Sequence, residues 1–250
     1  MIITRKIIDC QSPADETFYQ RKFTIVRCVL KKGELDYEGA VSAAKEMARS
    51  TSSGYANDSA YRREIQRKEI DAFSGIITEK GWELFLNYLF GPVAAPTPFV
   101  DINKQIDIRL SSAKVIEVRS SFVRNGVKFG LCSERHNFRN IGPYQNSIKP
   151  GEIQKDYYCG ALITSEKSKL LDLETVEFYL VGSSTWEMMM TIGHEVTLSE
   201  DNHPLLTPGN YRVIEYINTL DVGQFVNHLV KEECYSVINR LDSLSVTVYC

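Results

Sequence analysis

Asp107 and Glu117 are the residues whose types and spacing suggest chemistry. They sit in residues 105–121, QIDIRLSSAKVIEVRSS, where Ile106, Ile108 and Leu110 alternate with Asp107 and Arg109. A second alternation follows, with Val115, Glu117 and Arg119 on one side and Ile116 and Val118 on the other. Ser111, Ser112 and Ala113 between them fit a three-residue hairpin loop. That loop places residues whose numbers sum to 224 opposite each other, so Asp107 faces Glu117 and Arg119 shares their face. Opposed carboxylates repel unless a positive group lies between them, and a divalent cation is the usual solution. A plain cross-strand ion pair of Arg119 with either acid is the competing reading, worth about 0.2–1 kcal/mol on a surface.

Elements on both sides must position this hairpin. Residues 2–8 and 23–30 read as strands, and residues 37–49 as an alanine-rich helix. Residues 50–58 read as a polar loop and residues 61–72 as a charged helix. Ser74-Gly75 is expected to interrupt or bend that helix before an amphipathic one over residues 76–90, which Gly91-Pro92 stops. Glu79 lies on this second helix, where a carboxylate also suits a first turn. Residues 93–98 lead into the hairpin, and residues 122–131 are expected to extend the sheet through an Asn125-Gly126 turn.

Residues 132–153 read as a long irregular loop. Its Arg135, His136, Arg139, Tyr144 and Gln145 suit phosphates and base edges. Residues 157–163 (YYCGALI) are apolar throughout, as in a central strand covered on both faces. Strands over 176–182 and 244–249, an edge strand over 211–217, and a helix over 221–233 with Asp221 at its N-cap complete the reading. The methionines of residues 185–191 (TWEMMMT) are read as core.

The 250 residues bury a sizeable core and read as one domain, with residues 1–60 an N-terminal elaboration and 61–165 a catalytic core. The fold class is α/β (α+β) around a mixed central sheet flanked by helices. No apolar run reaches the length of a membrane span. Six cysteines without a C-x-x-C pair point to reduced thiols and a cytoplasmic location. The net charge of −3 excludes a generic polycation, yet residues 114–155 hold eight Lys/Arg against three Asp/Glu, which suits a polyanionic substrate.

The order of a helical Glu (GIITEKGWELFLNYL), an Asp at a strand, E-V-R on the next strand, a basic loop and K-D-Y-Y entering a buried strand resembles the PD-(D/E)xK nuclease superfamily, which includes most type II restriction endonucleases. The resemblance covers about residues 75–163. It implies a restriction-endonuclease-like fold and a magnesium-dependent endonuclease hydrolysing phosphodiester bonds of double-stranded DNA, with manganese as a substitute ion. By the resemblance Asp107, Glu117 and the backbone carbonyl of Val118 hold the metal, and Glu79 binds a second ion or a metal-bound water. Arg124, Lys128, Arg135, Arg139, Tyr144 and Gln145 are then the DNA-binding candidates, and a homodimer matches a two-fold symmetric duplex site.

Two departures stand out. Arg119 occupies the family's lysine position, and no proline precedes Asp107. Arginine keeps its charge but accepts protons poorly. Lys114 and Lys128 are the candidates for a displaced lysine, and Asp101 is an alternative to Asp107. A catalytically inactive nucleic-acid-binding protein on the same scaffold is the alternative function, with a protein-interaction module a third. No Walker A, G-x-G-x-x-G, H-E-x-x-H or G-x-S-x-G motif is present. A Cys132/His136 nucleophile pair rests on spacing alone.

Overall fold

Alternating apolar segments build the sheet and one long helix covers it. The computed structural model describes residues 1–10, 21–50, 64–98, 106–133, 138–145, 152–198 and 209–247. Strands β1 (Ile2–Asp9) and β2 (Lys22–Lys31) form an antiparallel pair and precede helices α1 (Leu35–Ser50) and α2 (Ile65–Phe90). Next come β3 (Ala94–Pro96), β4 (Ile108–Leu110), β5 (Val115–Phe122) and helix α3 (Gly126–Cys132). Strands β6 (Arg139–Gln145), β7 (Tyr157–Ile163) and β8 (Thr175–Thr185) follow, then α4 (Trp186–Thr191), β9 (His194–Leu198) and β10 (Gly209–Glu215). Helix α5 (Val222–Glu232) and β11 (Ser245–Thr247) end the described chain.

Eight strands pair in the order β11-β1-β2-β8-β7-β5-β4-β3, and β6-β10-β9 form a second sheet. The pair β5–β7 is parallel, in a sheet whose other pairings are antiparallel. This is the mixed α/β (α+β) arrangement expected from the sequence. No described helix is long and apolar enough to cross a membrane.

Helix α2 runs unbroken through Ser74-Gly75, against expectation. Ser74 Oγ donates to the carbonyl of Asp71 at 2.8 Å, and Thr78 Oγ1 to that of Ser74 at 2.9 Å. The polar side chains are thus satisfied inside the helix, while Ile70, Phe73, Ile77 and Trp82 are buried beside them. Burying those side chains, each worth about 1.5–3 kcal/mol, outweighs the propensity cost of about 1 kcal/mol for glycine. Gly81 lets the helix touch the sheet, because a Cβ there would lie 2.7 Å from the Phe178 ring.

Other expectations are corrected. Residues 126–132 form a helix and do not extend the sheet, since Val127 and Leu131, four apart, bury together against Phe23 and Ile25. Residues 139–145 of the expected loop are strand β6. Strand β10 is central to its sheet and not an edge. Asp221 does cap α5, with a full capping box to Gln224. Of the three methionines expected in the core, Met189 is buried, Met188 is half-buried and Met190 is exposed, because consecutive helical residues point in different directions. Cys10 and Cys132 form a disulfide, their Cα atoms 5.2 Å apart, where reduced thiols were expected. The strand's end and the helix α3 bring them together across 122 residues, a proximity that spacing cannot show. The loop expected over residues 50–58 lies almost wholly outside the described residues, as do Asp101, Arg135 and His136.

Candidate active site

The hairpin register is the one the alternation demands. Ile108 pairs with Ile116 and Arg109 with Val115. The loop closes through Leu110 N to the Lys114 carbonyl at 2.8 Å, with Ala113 at φ 69°, the left-handed conformation such loops need. Ile108, Ile116 and Val118 therefore enter the core beneath α2, and Glu117 emerges on the opposite face. Asp107 lies one residue outside β4, and its Oδ2 accepts the Val118 N–H at 2.7 Å. The N–H and C=O of one strand residue point to the same side. The Val118 carbonyl consequently points toward Asp107 and away from the β5–β7 ladder.

Two cations meet the Glu117 carboxylate. Lys155 Nζ donates to Glu117 Oε2 at 2.6 Å, and Arg119 reaches Glu117 Oε1 at 2.6 Å. Arg119 also meets Glu152 Oε1 at 3.0 Å, which lies 3.8 Å from Lys155 Nζ. Lys155 is wholly buried, and Asp107 and Glu117 are 6% and 4% exposed. Two hydrogen bonds fix the chain just beyond Lys155: Asp156 Oδ2 accepts the Val115 N–H at 2.9 Å, and the Asp156 N–H donates to the Val115 carbonyl at 3.1 Å. The parallel register then sets Tyr158 beside Glu117 and delivers Lys155 to its carboxylate.

Glu79, on α2, belongs to the same electrostatic group. Burial, followed by the charges of Asp107 and Glu117, pushes its carboxyl up to about 8. Asp107 is pushed up to about 7, chiefly by burial and next by Glu117, against the Val118 N–H, Arg119 and Lys155. Glu79, Asp107, Glu117 and Glu152 are four acids against two basic groups, Arg119 and Lys155. Glu79 and Asp107, which have no ion pair among the described residues, are the two whose protonation is favoured. An excess of buried hard-oxygen donors is what a divalent cation neutralises. In that respect the donor set fits magnesium. Among the described residues, however, no three Asp, Glu, His or Cys side chains are already gathered to metal-ligand distance. Each Glu117 oxygen already meets one cation, so an ion there would use a remaining lone pair or displace Arg119 or Lys155.

The remaining site candidates separate from this cluster. Arg124 and Lys128 are exposed, after β5 and on α3. Arg139 lies on β6, its Nε 3.5 Å from Glu215. The backbones of Tyr144 and Gln145 pair with Tyr211 and Asn210 in the small sheet. Lys114 pairs with Asp156 at 2.9 Å, so neither it nor Lys128 takes the displaced-lysine position. Lys155, not singled out from the sequence, lies against Glu117 instead. Its signal was its place in K-D-Y-Y, two residues before a wholly apolar strand. Comparison with family models, curated proteins and solved structures returns no match for this chain.

Proposed function

We infer that the chain is a magnesium-dependent DNA endonuclease of the restriction-enzyme type. The observation that carries this reading is the buried group of Glu79, Asp107 and Glu117 with a lysine, Lys155, on the Glu117 carboxylate. The order of helix, antiparallel hairpin and parallel buried strand supports the family resemblance.

Asp107, Glu117, the Val118 carbonyl and Glu79 would hold the ion, which lowers the pKa of a water and offsets charge on the phosphate. Lys155 holds Glu117 in place and supplies a compact ammonium donor for an attacking water. Arg119 keeps its proton, so its part is to stabilise negative charge on the phosphate. Hydrolysis adds the water oxygen to phosphorus, breaks one phosphorus–oxygen ester bond and leaves a phosphate and a hydroxyl end.

The second reading, a nucleic-acid-binding protein without cleavage, is favoured by one feature: cations already occupy both Glu117 oxygens. Incubating supercoiled and linear plasmid with magnesium, manganese or chelator, beside Glu117→Ala, separates the two. Metal-dependent nicking or discrete fragments lost in the variant support the endonuclease. Salt-sensitive binding with intact DNA in both metals supports the second reading.

A further inference from the structure

Strand β7 places Tyr158 beside Glu117 in the parallel register, so the two side chains stand on the same face of the sheet. Helix α4 and strand β10 cover that face, where the wholly buried Tyr158 packs with Met189 and Ile214. A phenol is a large apolar ring with a single polar atom, and that atom normally finds a partner when buried.

Tyr158 breaks this rule. Its hydroxyl is buried and makes no hydrogen bond of normal geometry among the described residues. The Lys155 backbone N–H faces the oxygen, but as a donor it does nothing for the hydroxyl's own proton. Burial keeps that proton in place, holding the phenol well above its ordinary value, and the charges acting on it are those of Glu152, Glu117 and Arg119. Phenylalanine would fill the same space without the cost of an unpaired hydroxyl. An unpaired donor among buried carboxylates points to an acceptor that is engaged elsewhere in the resting chain.

Glu152 matches that acceptor. Its side chain is wholly buried, and Arg119 meets it at 3.0 Å while also holding Glu117 at 2.6 Å. The Arg119 side chain is 27% exposed and can turn outward, whereas the buried Glu152 and Lys155 cannot follow. To stabilise charge on a phosphate, Arg119 has to leave these carboxylates. Lys155 Nζ stands 3.8 Å from Glu152, beyond hydrogen-bond length, so the departure strips Glu152 of its 3.0 Å donor. A buried carboxylate that loses a charge-assisted bond needs a replacement.

We propose that Tyr158 is a positioning residue whose O–H takes over the Glu152 carboxylate when Arg119 turns to the scissile phosphate. The exchange frees the guanidinium without leaving an uncompensated charge in the interior. The catalytic half of this proposal rests on the endonuclease reading, and the exchange of donors does not.

A double-mutant cycle in urea tests the exchange, with Tyr158→Phe made in wild type and in Arg119→Met. In wild type, loss of the orphaned hydroxyl should leave the folding equilibrium unchanged or improve it. In Arg119→Met the same substitution should lower the folding equilibrium constant about tenfold, the loss of a hydrogen bond to a charged group. Arg119→Lys takes its place if Arg119→Met does not fold. A tyrosine with a purely structural role gives the same change in both backgrounds, and that result overturns the proposal. Single-turnover cleavage of a duplex in magnesium should also fall about tenfold in Tyr158→Phe. Unchanged cleavage overturns the catalytic half. A wild type that cleaves no DNA sinks the endonuclease reading, while the urea cycle still decides the exchange.

Discussion

Lys155, wholly buried, places its ammonium 2.6 Å from Oε2 of Glu117, a residue 38 positions earlier on the neighbouring parallel strand. Such a pair is costly to half-remove, because the survivor stays buried and charged. Glu117→Gln alone and Lys155→Met alone should each destabilise the fold, by less than the roughly 3–5 kcal/mol of a wholly uncompensated buried charge, because Glu152 stays near Lys155 and Arg119 stays on Glu117. The double variant should recover much of that loss. Chemical denaturation of all four proteins measures the coupling, and strictly additive losses would show that the pair does not act as a unit.

Arg119 and Lys155 share one carboxylate but have different expected duties. Arg119→Lys keeps the charge and should leave cleavage within about tenfold of wild type, whereas Lys155→Ala should reduce it at least a hundredfold. Single-turnover cleavage of a labelled duplex, with folding checked by circular dichroism, makes the comparison. A larger loss in Arg119→Lys would reverse the roles.

The raised carboxyls of Glu79 and Asp107 predict a pH trend in metal-free protein. Each folded-state pKa, about 8 and about 7, lies above the ordinary carboxylate value. Their protonation therefore stabilises the fold fully below about pH 4, and that contribution is lost as pH rises through about 7 to 8. Tm of the metal-free chain should fall over that interval. Glu79→Gln should flatten the fall, and magnesium should oppose it by binding the ionised acids. A metal-free Tm that rises from pH 6 to pH 8 in wild type but not in Glu79→Gln contradicts the sign.

The cysteines give a prediction about covalent state. In native protein without reductant, a thiol alkylating agent should label the exposed Cys234 and spare buried Cys28 and Cys159 and the bonded Cys10 and Cys132. Denaturation should add Cys28 and Cys159, and only reduction should add the bonded pair. Labelling of Cys10 after denaturation without reductant would exclude the disulfide.

The local features of this site were legible in the sequence, and the long-range ones were not. A strict period of two and a three-residue loop determine which residues of the hairpin oppose each other, so Asp107 and Glu117 could be paired on paper. The apolar run of β7 was equally clear, and its bounds, Tyr157–Ile163, match the expectation. What spacing could not show is that β7 lies parallel to β5 in the register that sets Tyr158 beside Glu117. Without that pairing Lys155 reads as an ordinary cation before a strand. Residues 122–131 were misread because Asn125-Gly126 serves a hairpin and a helix start equally well. The apolar pair Val127 and Leu131 decides for the helix.

Direct measurement of ion binding tests the central claim, that Glu79, Asp107 and Glu117 form one divalent-cation site. Manganese would be titrated calorimetrically into wild type and Asp107→Asn at pH 7 in two buffers of different ionisation enthalpy. Wild type should bind the ion and release protons, since acids titrating at about 7 and about 8 must ionise to hold it. Asp107→Asn should bind at least tenfold more weakly and release fewer protons. Absence of binding in wild type, or equal binding in Asp107→Asn, would contradict the account and leave the cluster as a buried ion-pair network.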